Sequence, residues 1–253
     1  AHDRNGNLIR EALGKVEVQY RYTPENRLER ISGEAEVGYA YDALGRRSIR
    51  QEYGKLRRER AEQESSKGYL YDGLSFEVLA EFGLDEGKAP QGKAWGWWEN
   101  KPRLDTVSEY LYASGRIMSR MDFHEPGELL RGAGSVKHRL NYHQDALGST
   151  VMLTDGRGKV EQACNYDAFG NLYEGGPRRG GDEHGVDGYL YNAKRYDAAV
   201  GLYDYGFRDY RPQLGRWTSV DPIRDGANWY AYVNNDPVNW VDPPEIRDST
   251  PRR

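Results

Sequence analysis

The chain has 253 residues, of which 37% are hydrophobic and 12% aromatic. A formal net charge of -4 at pH 7 gives no overall positive field for nucleic acid. No apolar run approaches the roughly 20 residues that span a bilayer, and the N-terminus lacks the apolar segment of a signal peptide. These properties exclude a membrane-spanning protein. They predict one large domain or two small ones, with a core that depends on the 20 tyrosines.

The chain repeats a short block in which two aromatic residues flank a third residue and a turn-forming segment follows. The clearest copy is YAYDALG at residues 39–45, and related copies are YRYTPEN at 20–26, YLYDG at 69–73 and NYDAFG at 165–170. Alternating aromatic residues are typical of a strand with one buried face. The Asp side chain can cap backbone N–H groups, and Gly accepts positive φ. Each block therefore predicts a β-hairpin.

Three stretches interrupt the hairpin pattern. Residues 51–68 are densely charged, and residues 174–188 contain six glycines, so both are expected to be exposed. Between them lie Trp95, Trp97 and Trp98. Neighbouring tryptophans either form a platform on which sugars stack or pack a loop over a sheet. A carbohydrate- or cell-surface-binding module is therefore the alternative function.

The last hundred residues contain longer motifs in a fixed order. They are YHQDALGST at 142–150, YDAFG at 166–170, GLYDYGFRDYRPQLGRW at 201–217, VDPI at 220–223 and NWYAYVNNDPVN at 228–239. Together with the repeated blocks, these motifs resemble the RHS/YD-repeat proteins. The segment that contains them is similar to the RHS repeat-associated core domain.

The resemblance implies an all-β fold, in which tyrosine-rich β-hairpin repeats form a spiralling sheet that the core domain closes. Residues 1–140 would be the repeats with their insertions, residues 141–246 the core domain, and residues 247–253 a tail. The implied function is a structural shell that encapsulates or presents a C-terminal effector, in a bacterial toxin that is secreted or held at the cell surface. The expected partners are that effector and upstream repeats, both outside this chain, while the alternative function implies cell-surface glycans.

Many members of that family cut their own chain after the Leu of an Asp-Pro-x-Gly-Leu motif, using paired aspartates. The matching stretch here is DPPEI at 242–246, which places the cleavage position at Ile246. Because Glu245 and Ile246 stand where Gly and Leu are expected, we expect the chain to stay intact. The only enzymatic activity that the resemblance implies is this aspartyl self-cleavage.

The candidate residues for self-cleavage lie near the C-terminus. They are the acids Asp221, Asp225 and Asp242 and the charge partners Arg208 and Arg216. Two carboxyl groups held close together do not both ionise at low cost, so one keeps a proton while the other activates water. The alternative is structural, because Asp-Pro units also form turns in which Asp caps the backbone.

Other chemistries lack a sequence signal. The five histidines have no metal-binding spacing, and Cys164 is the only cysteine, which excludes an intrachain disulfide and a thiolate zinc site. No glycine-rich segment has the pattern of a nucleotide-binding loop. The sequence therefore predicts neither a metal nor a cofactor.

Overall fold

A computed structural model describes residues 1–14, 16–53, 63–85, 103–123, 136–174, 188–224 and 227–242. Within these residues the chain forms eighteen β-strands and three short 3-10 helices. The prediction of an all-β fold is confirmed.

Twelve strands form one sheet in which each strand pairs antiparallel with its neighbour in the chain. They are β1 (Arg10–Leu13), β2 (Val16–Tyr22), β3 (Leu28–Ser32), β4 (Glu36–Tyr41), β5 (Arg47–Tyr53), β6 (Gln63–Tyr71), β7 (Val78–Asp85), β8 (Arg103–Ala113), β9 (Arg116–Phe123), β10 (Val136–Gln144), β11 (Thr150–Asp155) and β12 (Val160–Ala163). The sheet continues past residue 140, and the domain boundary placed there stays a prediction.

The remaining strands are short and form two smaller sheets. One contains β13 (Asn165–Tyr166) and β14 (Leu172–Glu174); the other contains β15 (Arg195–Asp197), β16 (Leu202–Asp204), β17 (Asp209–Arg211) and β18 (Arg216–Trp217). The 3-10 helices are Tyr191–Ala193, Pro212–Leu214 and Val233–Asn235. We call the described residues from 188 to 242 the C-terminal unit.

The turns between strands use the chemistry that the sequence predicts. In the YDALG copy, Asp42 Oδ1 accepts the backbone N–H groups of Leu44 and Arg46, each at 2.9 Å. The N–H of Gly45 donates to the Asp42 carbonyl at 2.9 Å, and Gly45 has φ of 76°. The same carboxylate cap occurs at Asp3, Asp145, Asp155 and Asp167. The predicted capping of these turns by Asp is confirmed.

The two tyrosines of a block have different contacts. The first points into the core, on the face of the sheet that we call the inner face; these buried residues are Tyr20, Tyr39, Tyr69, Tyr110 and Tyr142. The second reaches back with its hydroxyl to a carbonyl of the preceding hairpin. These bonds are Tyr41 to Leu28 at 2.7 Å, Tyr71 to Arg47 at 2.7 Å, Tyr112 to Val78 at 3.2 Å and Tyr166 to Thr150 at 2.6 Å.

The C-terminal unit packs against the inner face. Leu202 joins the apolar cluster of the early strands, which contains Tyr20 and Tyr39. Tyr189 joins the cluster of the later strands, which contains Tyr110 and Tyr142. The unit thereby removes from water the aromatic face that the sheet alone would expose.

The C-terminal unit also holds the start of the chain at one carbonyl group. The oxygen of Thr218 accepts the N–H of Leu8 at 2.8 Å and the hydroxyl of Tyr22 at 3.2 Å. Nearby, a buried ion pair joins Arg211 to Glu11. The first hairpin and the C-terminal unit are therefore tied together across some 200 residues of chain.

Candidate functional site

Three of the sequence-predicted site residues meet beside β17. Arg208, which is 6% exposed, directs Nη1 to Oδ2 of Asp221 at 3.1 Å and Nη2 to Oδ2 of Asp242 at 3.5 Å. One guanidinium thus bridges two carboxylates that are 21 residues apart in sequence. We call Arg208, Asp221 and Asp242 the acid cluster.

Local structure fixes each member of the acid cluster. The guanidinium of Arg208 lies 4.0 Å from the centre of the Trp217 ring, a favourable cation–π contact. Asp221 Oδ1 accepts the N–H of Ile223 at 2.9 Å, as expected for a turn that begins with Asp-Pro. The turn-forming role and the contact with Arg208 therefore coexist in Asp221, because each uses a different carboxylate oxygen.

The two acids of the cluster differ in their surroundings. Burial raises the pKa of Asp242, while the positive charges of Arg208 and Lys194 oppose this and the negative charge of Asp221 adds to it. The net effect is a raised pKa for Asp242. The cluster thus holds two carboxyls on one guanidinium, and burial favours the protonated form of Asp242.

The remaining predicted site residues are not part of this cluster. Arg216 is exposed on β18 and does not contact Asp221 or Asp242 within the described part of the chain, so its role as a charge partner stays a prediction. The other residues lie outside the described residues; they are Asp225, Ile246, Trp95, Trp97 and Trp98.

A second charged cluster, which sequence reasoning missed, joins β5 to the C-terminal unit. Arg50 binds the Asp197 carboxylate with Nε at 2.7 Å and Nη2 at 2.8 Å, and the Tyr39 hydroxyl donates to the same carboxylate at 2.8 Å. Burial alone would raise the pKa of Asp197, but Arg50 and Tyr39 outweigh it and lower the pKa. The three side chains therefore form a fully hydrogen-bonded polar contact inside the protein.

Arg47 extends this second cluster along β5. Its Nη2 lies 2.6 Å from Asp209 Oδ1, and its Nη1 lies 3.5 Å from Asp204 Oδ2. Asp204 also contacts Arg195 at 2.5 Å. A signal for this cluster was present in the sequence. Arg47 follows its turn at the position where other hairpins carry a buried apolar residue, such as Leu28 or Val78, and a charge at a core position predicts a buried partner.

The structure limits two other kinds of site. In the described part of the chain, no helix is long and apolar enough to cross a membrane. The same residues contain no group of three or more His, Cys, Asp or Glu side chains that could hold a metal ion.

No family model matches the sequence. The double-stranded DNA deaminase toxin A of Burkholderia cenocepacia (strain H111) is 30% identical over 256 residues, which cover 96% of this chain and 16% of that protein. The tRNA nuclease WapA of Bacillus subtilis (strain 168) is 30% identical over 253 residues, which cover 96% of this chain and 9% of the nuclease. Salivary gland surface protein 1 of Aedes aegypti is 28% identical over 246 residues, covering 96% of this chain and 6% of that protein.

This chain therefore spans less than a fifth of the length of the relatives that it matches. Among solved structures, the Tc holotoxin pore of Photorhabdus luminescens superposes with a TM-score of 0.69 at 20% identity, over 96% of this chain and 10% of the matched chain. TcdB2-TccC3 without its hypervariable C-terminal region gives a TM-score of 0.67 at 22% identity, over 90% and 10%. These similarities establish the fold, and several of the similar proteins are toxins by name.

Proposed function

We propose that this chain is the closing part of an RHS-type toxin shell, a structural scaffold that encloses or presents an effector carried elsewhere in a longer protein. The observation that carries the proposal is the packing of the C-terminal unit over the inner face of the twelve-stranded sheet. In this proposal, residues 1–140 are hairpin repeats and residues 141–246 are the core domain.

The second charged cluster supports the proposal that the C-terminal unit closes the inner face of the sheet. Arg47 and Arg50 of β5 are buried only because acidic residues of the C-terminal unit face them. Removing the unit would deprive both arginines of the acidic partners that it supplies and leave Arg50 with only Glu52 of its own strand. The sheet and the unit therefore form one body, as a closed end of a shell requires. The matched deaminase toxin and tRNA nuclease support the same role, because this chain corresponds to a small part of each.

A chimera tests the closing role. This chain would replace the matched 256-residue segment in the deaminase toxin of Burkholderia cenocepacia. We expect trypsin to digest the chimera no faster than the parent toxin, because a closed shell excludes the protease from the chain inside it. The control chimera carries Asp197→Ala, which breaks the contact with Arg50 and should restore digestion. Digestion of the first chimera at the rate of a toxin lacking the whole segment would contradict the proposal.

A capacity for self-cleavage in the acid cluster, which Glu245 and Ile246 are expected to block in the natural chain, is a second proposal. It is favoured by the bridging position of Arg208 between two carboxyls. In this reaction water adds to the carbonyl carbon of the peptide bond after Ile246. The carboxylate of Asp221 takes a proton from the water, and the protonated carboxyl of Asp242 gives a proton to the amide nitrogen as the C–N bond breaks. The products are a new carboxyl end and a new amino end, without any other reactant.

The cleavage motif itself provides the test. The natural chain should remain intact to Arg253, because Glu245 adds bulk and negative charge where Gly would let the backbone approach the acids. The double variant Glu245→Gly, Ile246→Leu should cut itself after position 246, as mass spectrometry of the purified product would report. Adding Asp221→Asn should abolish this cleavage. A restored chain that stays whole would contradict the proposed chemistry.

A further inference from the structure

A small cavity lies where β5, β6 and β7 face β15 of the C-terminal unit. Its volume is about 20 Å³, and every described residue that lines it is either charged or a tyrosine. Apolar cavities stay dry, whereas polar cavities bind water or another hydrogen-bonding ligand when they offer enough partners. The lining of this cavity therefore favours a bound polar ligand.

Two guanidinium groups that line the cavity carry N–H groups without a partner in the described part of the chain. The side chain of Arg47 is 4% exposed, and its Nε is one of these groups. The other is the buried Nη1 of Arg195. The two side chains are neighbours, because Arg47 Nη1 and Arg195 Nη2 approach the same oxygen, Asp204 Oδ2, at 3.5 and 2.5 Å. A buried donor without an acceptor is costly, and the cavity is the space that borders both side chains.

The size of the cavity limits the acceptor to one small species. A single water molecule needs roughly 10–15 Å³ of such space. The cavity therefore admits one water molecule, and it is too small for a polyatomic anion such as phosphate or sulfate. Two kinds of acceptor have a suitable size, a water molecule and a monatomic anion.

The charges around the cavity distinguish these two acceptors. The cations that line it are Arg47, Arg50, Lys67 and Arg195. At least as many acids line it or pair with these cations; they are Glu52, Glu81, Asp197, Asp204 and Asp209. A chloride ion would bring a further negative charge into a cluster that has no excess of positive charge, which is unfavourable inside a protein. A water molecule supplies the acceptor without adding charge.

We propose that the cavity is a binding site for one ordered water molecule, which accepts hydrogen bonds from Arg47 Nε and Arg195 Nη1. The carboxylates of Glu81 and Asp197 line the same cavity and accept the protons of the water. Arg47 belongs to β5 and Arg195 to β15. The water thereby joins the twelve-stranded sheet to the C-terminal unit, whether or not the chain closes a toxin shell.

A crystal structure of the full chain, grown in sodium bromide, tests the occupancy of the cavity and the identity of its ligand together. At a resolution that shows ordered water, we expect one peak of electron density within about 3.2 Å of both Arg47 Nε and Arg195 Nη1. We expect no anomalous signal from bromide at this peak. An anomalous peak there would overturn the proposal in favour of an anion, and a cavity without density would overturn it in favour of a dry one.

Nuclear magnetic resonance of the full chain tests the same water in solution. The Nε proton of Arg47 should show a rotating-frame cross-peak to a bound water molecule, with the sign that separates proximity from proton exchange. Arg195→Lys keeps the positive charge beside Asp204 but removes one donor, so this cross-peak should weaken at least about twofold. The control is Arg116→Lys, which changes an arginine bonded to backbone carbonyls of an exposed turn and should leave the cross-peak unchanged. A natural chain without the cross-peak, or equal cross-peaks in the two variants, would overturn the proposal.

A series of anions tests the choice of ligand without any variant. The urea midpoint of the natural chain is measured in sodium bromide, sodium chloride and sodium gluconate at equal concentration. A halide that bound only the folded chain would raise the midpoint as its concentration rises. Because the proposed ligand is water, we expect no rise with bromide or chloride relative to gluconate. A halide-specific rise that disappears in Arg195→Lys would overturn the proposal.

Discussion

The early and the late strands of the twelve-stranded sheet meet the C-terminal unit through different chemistry. In the early strands, the hydroxyl of Tyr39 donates to Asp197, which also binds Arg50. In the late strands, Tyr110 packs edge-on against Tyr189 with ring centres 5.2 Å apart, and its buried hydroxyl has no hydrogen-bond partner among the described residues. The same sequence block therefore serves a polar contact at one end of the sheet and an aromatic contact at the other.

This difference separates what orients the C-terminal unit from what drives its burial. Buried ion pairs contribute little net stability, because the cost of removing two charges from water offsets their attraction. They are strongly directional, however, since a shift of the unit would leave Arg50 without its carboxylate. Aromatic packing in the late strands is less directional and gains from the area removed from water.

The largest expected effect comes from breaking the polar contact. Asp197→Ala removes the bidentate carboxylate partner of Arg50, which keeps only Glu52, and should lower the free energy of unfolding by about 3 kcal/mol. Urea denaturation of the purified chain measures this change. The control is Glu17→Ala, which breaks an exposed pair with Arg10 and should leave the urea midpoint nearly unchanged. Equal losses in the two variants would contradict a special role for the buried contact.

Removing single tyrosine hydroxyl groups compares the contacts of the early and the late strands directly. Tyr39→Phe deletes a buried hydrogen bond to a carboxylate and should cost about 2 kcal/mol. Tyr110→Phe deletes a hydroxyl that has no partner in the described part of the chain, so it should change the free energy of unfolding by less than about 0.5 kcal/mol or increase it. The same urea titrations report both values. A larger loss in Tyr110→Phe than in Tyr39→Phe would reverse the comparison.

Acid should selectively weaken the charged contact between β5 and the C-terminal unit. Burial opposes the ionisation of Asp204, but Arg47 and Arg195 lower its pKa to about 2, and the pKa of Asp197 is also lowered. Stability from a lowered pKa is present above the unfolded value, near 3.9, and is lost as pH falls through the folded value. Burial raises the pKa of Asp209 despite Arg47. A raised pKa makes the protein more stable as pH falls, but this gain ends once pH reaches the unfolded value near 3.9.

The free energy of unfolding should therefore fall between about pH 4 and pH 2. Fluorescence-detected urea titrations at several pH values would follow this loss. In Asp197→Asn the slope should be smaller, because one of the titrating groups is gone. A natural chain whose urea midpoint does not change over this interval would show that the buried carboxylates do not couple folding to pH.

The smallest expected effect comes from the one hairpin between β4 and β11 in which the second tyrosine of the block is replaced. The position equivalent to Tyr41 and Tyr71 in the β10–β11 hairpin is Gln144, whose side-chain nitrogen is buried without a hydrogen-bond partner in the described residues. The equivalent carbonyl in the preceding hairpin belongs to Ile117, which lies opposite Tyr112. Gln144→Tyr should therefore raise the free energy of unfolding by about 1 kcal/mol. A decrease measured by thermal denaturation would indicate that the tyrosine is replaced for a steric reason.

The hairpins could be predicted from sequence because their determinants are local. Asp42 and Gly45 act on atoms within four residues, and the alternation of tyrosines reports which strand face is buried. The placement of the C-terminal unit could not be predicted in the same way. Its contacts, such as that between Arg50 and Asp197, join residues 147 positions apart, and no local pattern specifies the partner.

The acid cluster was accessible only through the resemblance to known repeat proteins. Nothing in the spacing of Arg208, Asp221 and Asp242 reports that the three meet at one point. The buried hydrogen bond between Asn192 and Tyr232 could not be predicted for a different reason. Tyr232 is one of 20 tyrosines, and its sequence neighbours do not distinguish a hydroxyl with a side-chain partner from one that only packs.

The double hydrogen bond at the Thr218 carbonyl has a consequence for synthesis of the protein. Its donors, Leu8 and Tyr22, leave the ribosome about 200 residues before the acceptor. At about 5–20 residues per second, the first hairpin must wait roughly 10–40 s for its partner. During that interval the growing sheet presents its tyrosine-lined face to water and to other nascent chains. We expect closure at Thr218 to be a late event in the folding of these strands, which happens only after Thr218 has left the ribosome.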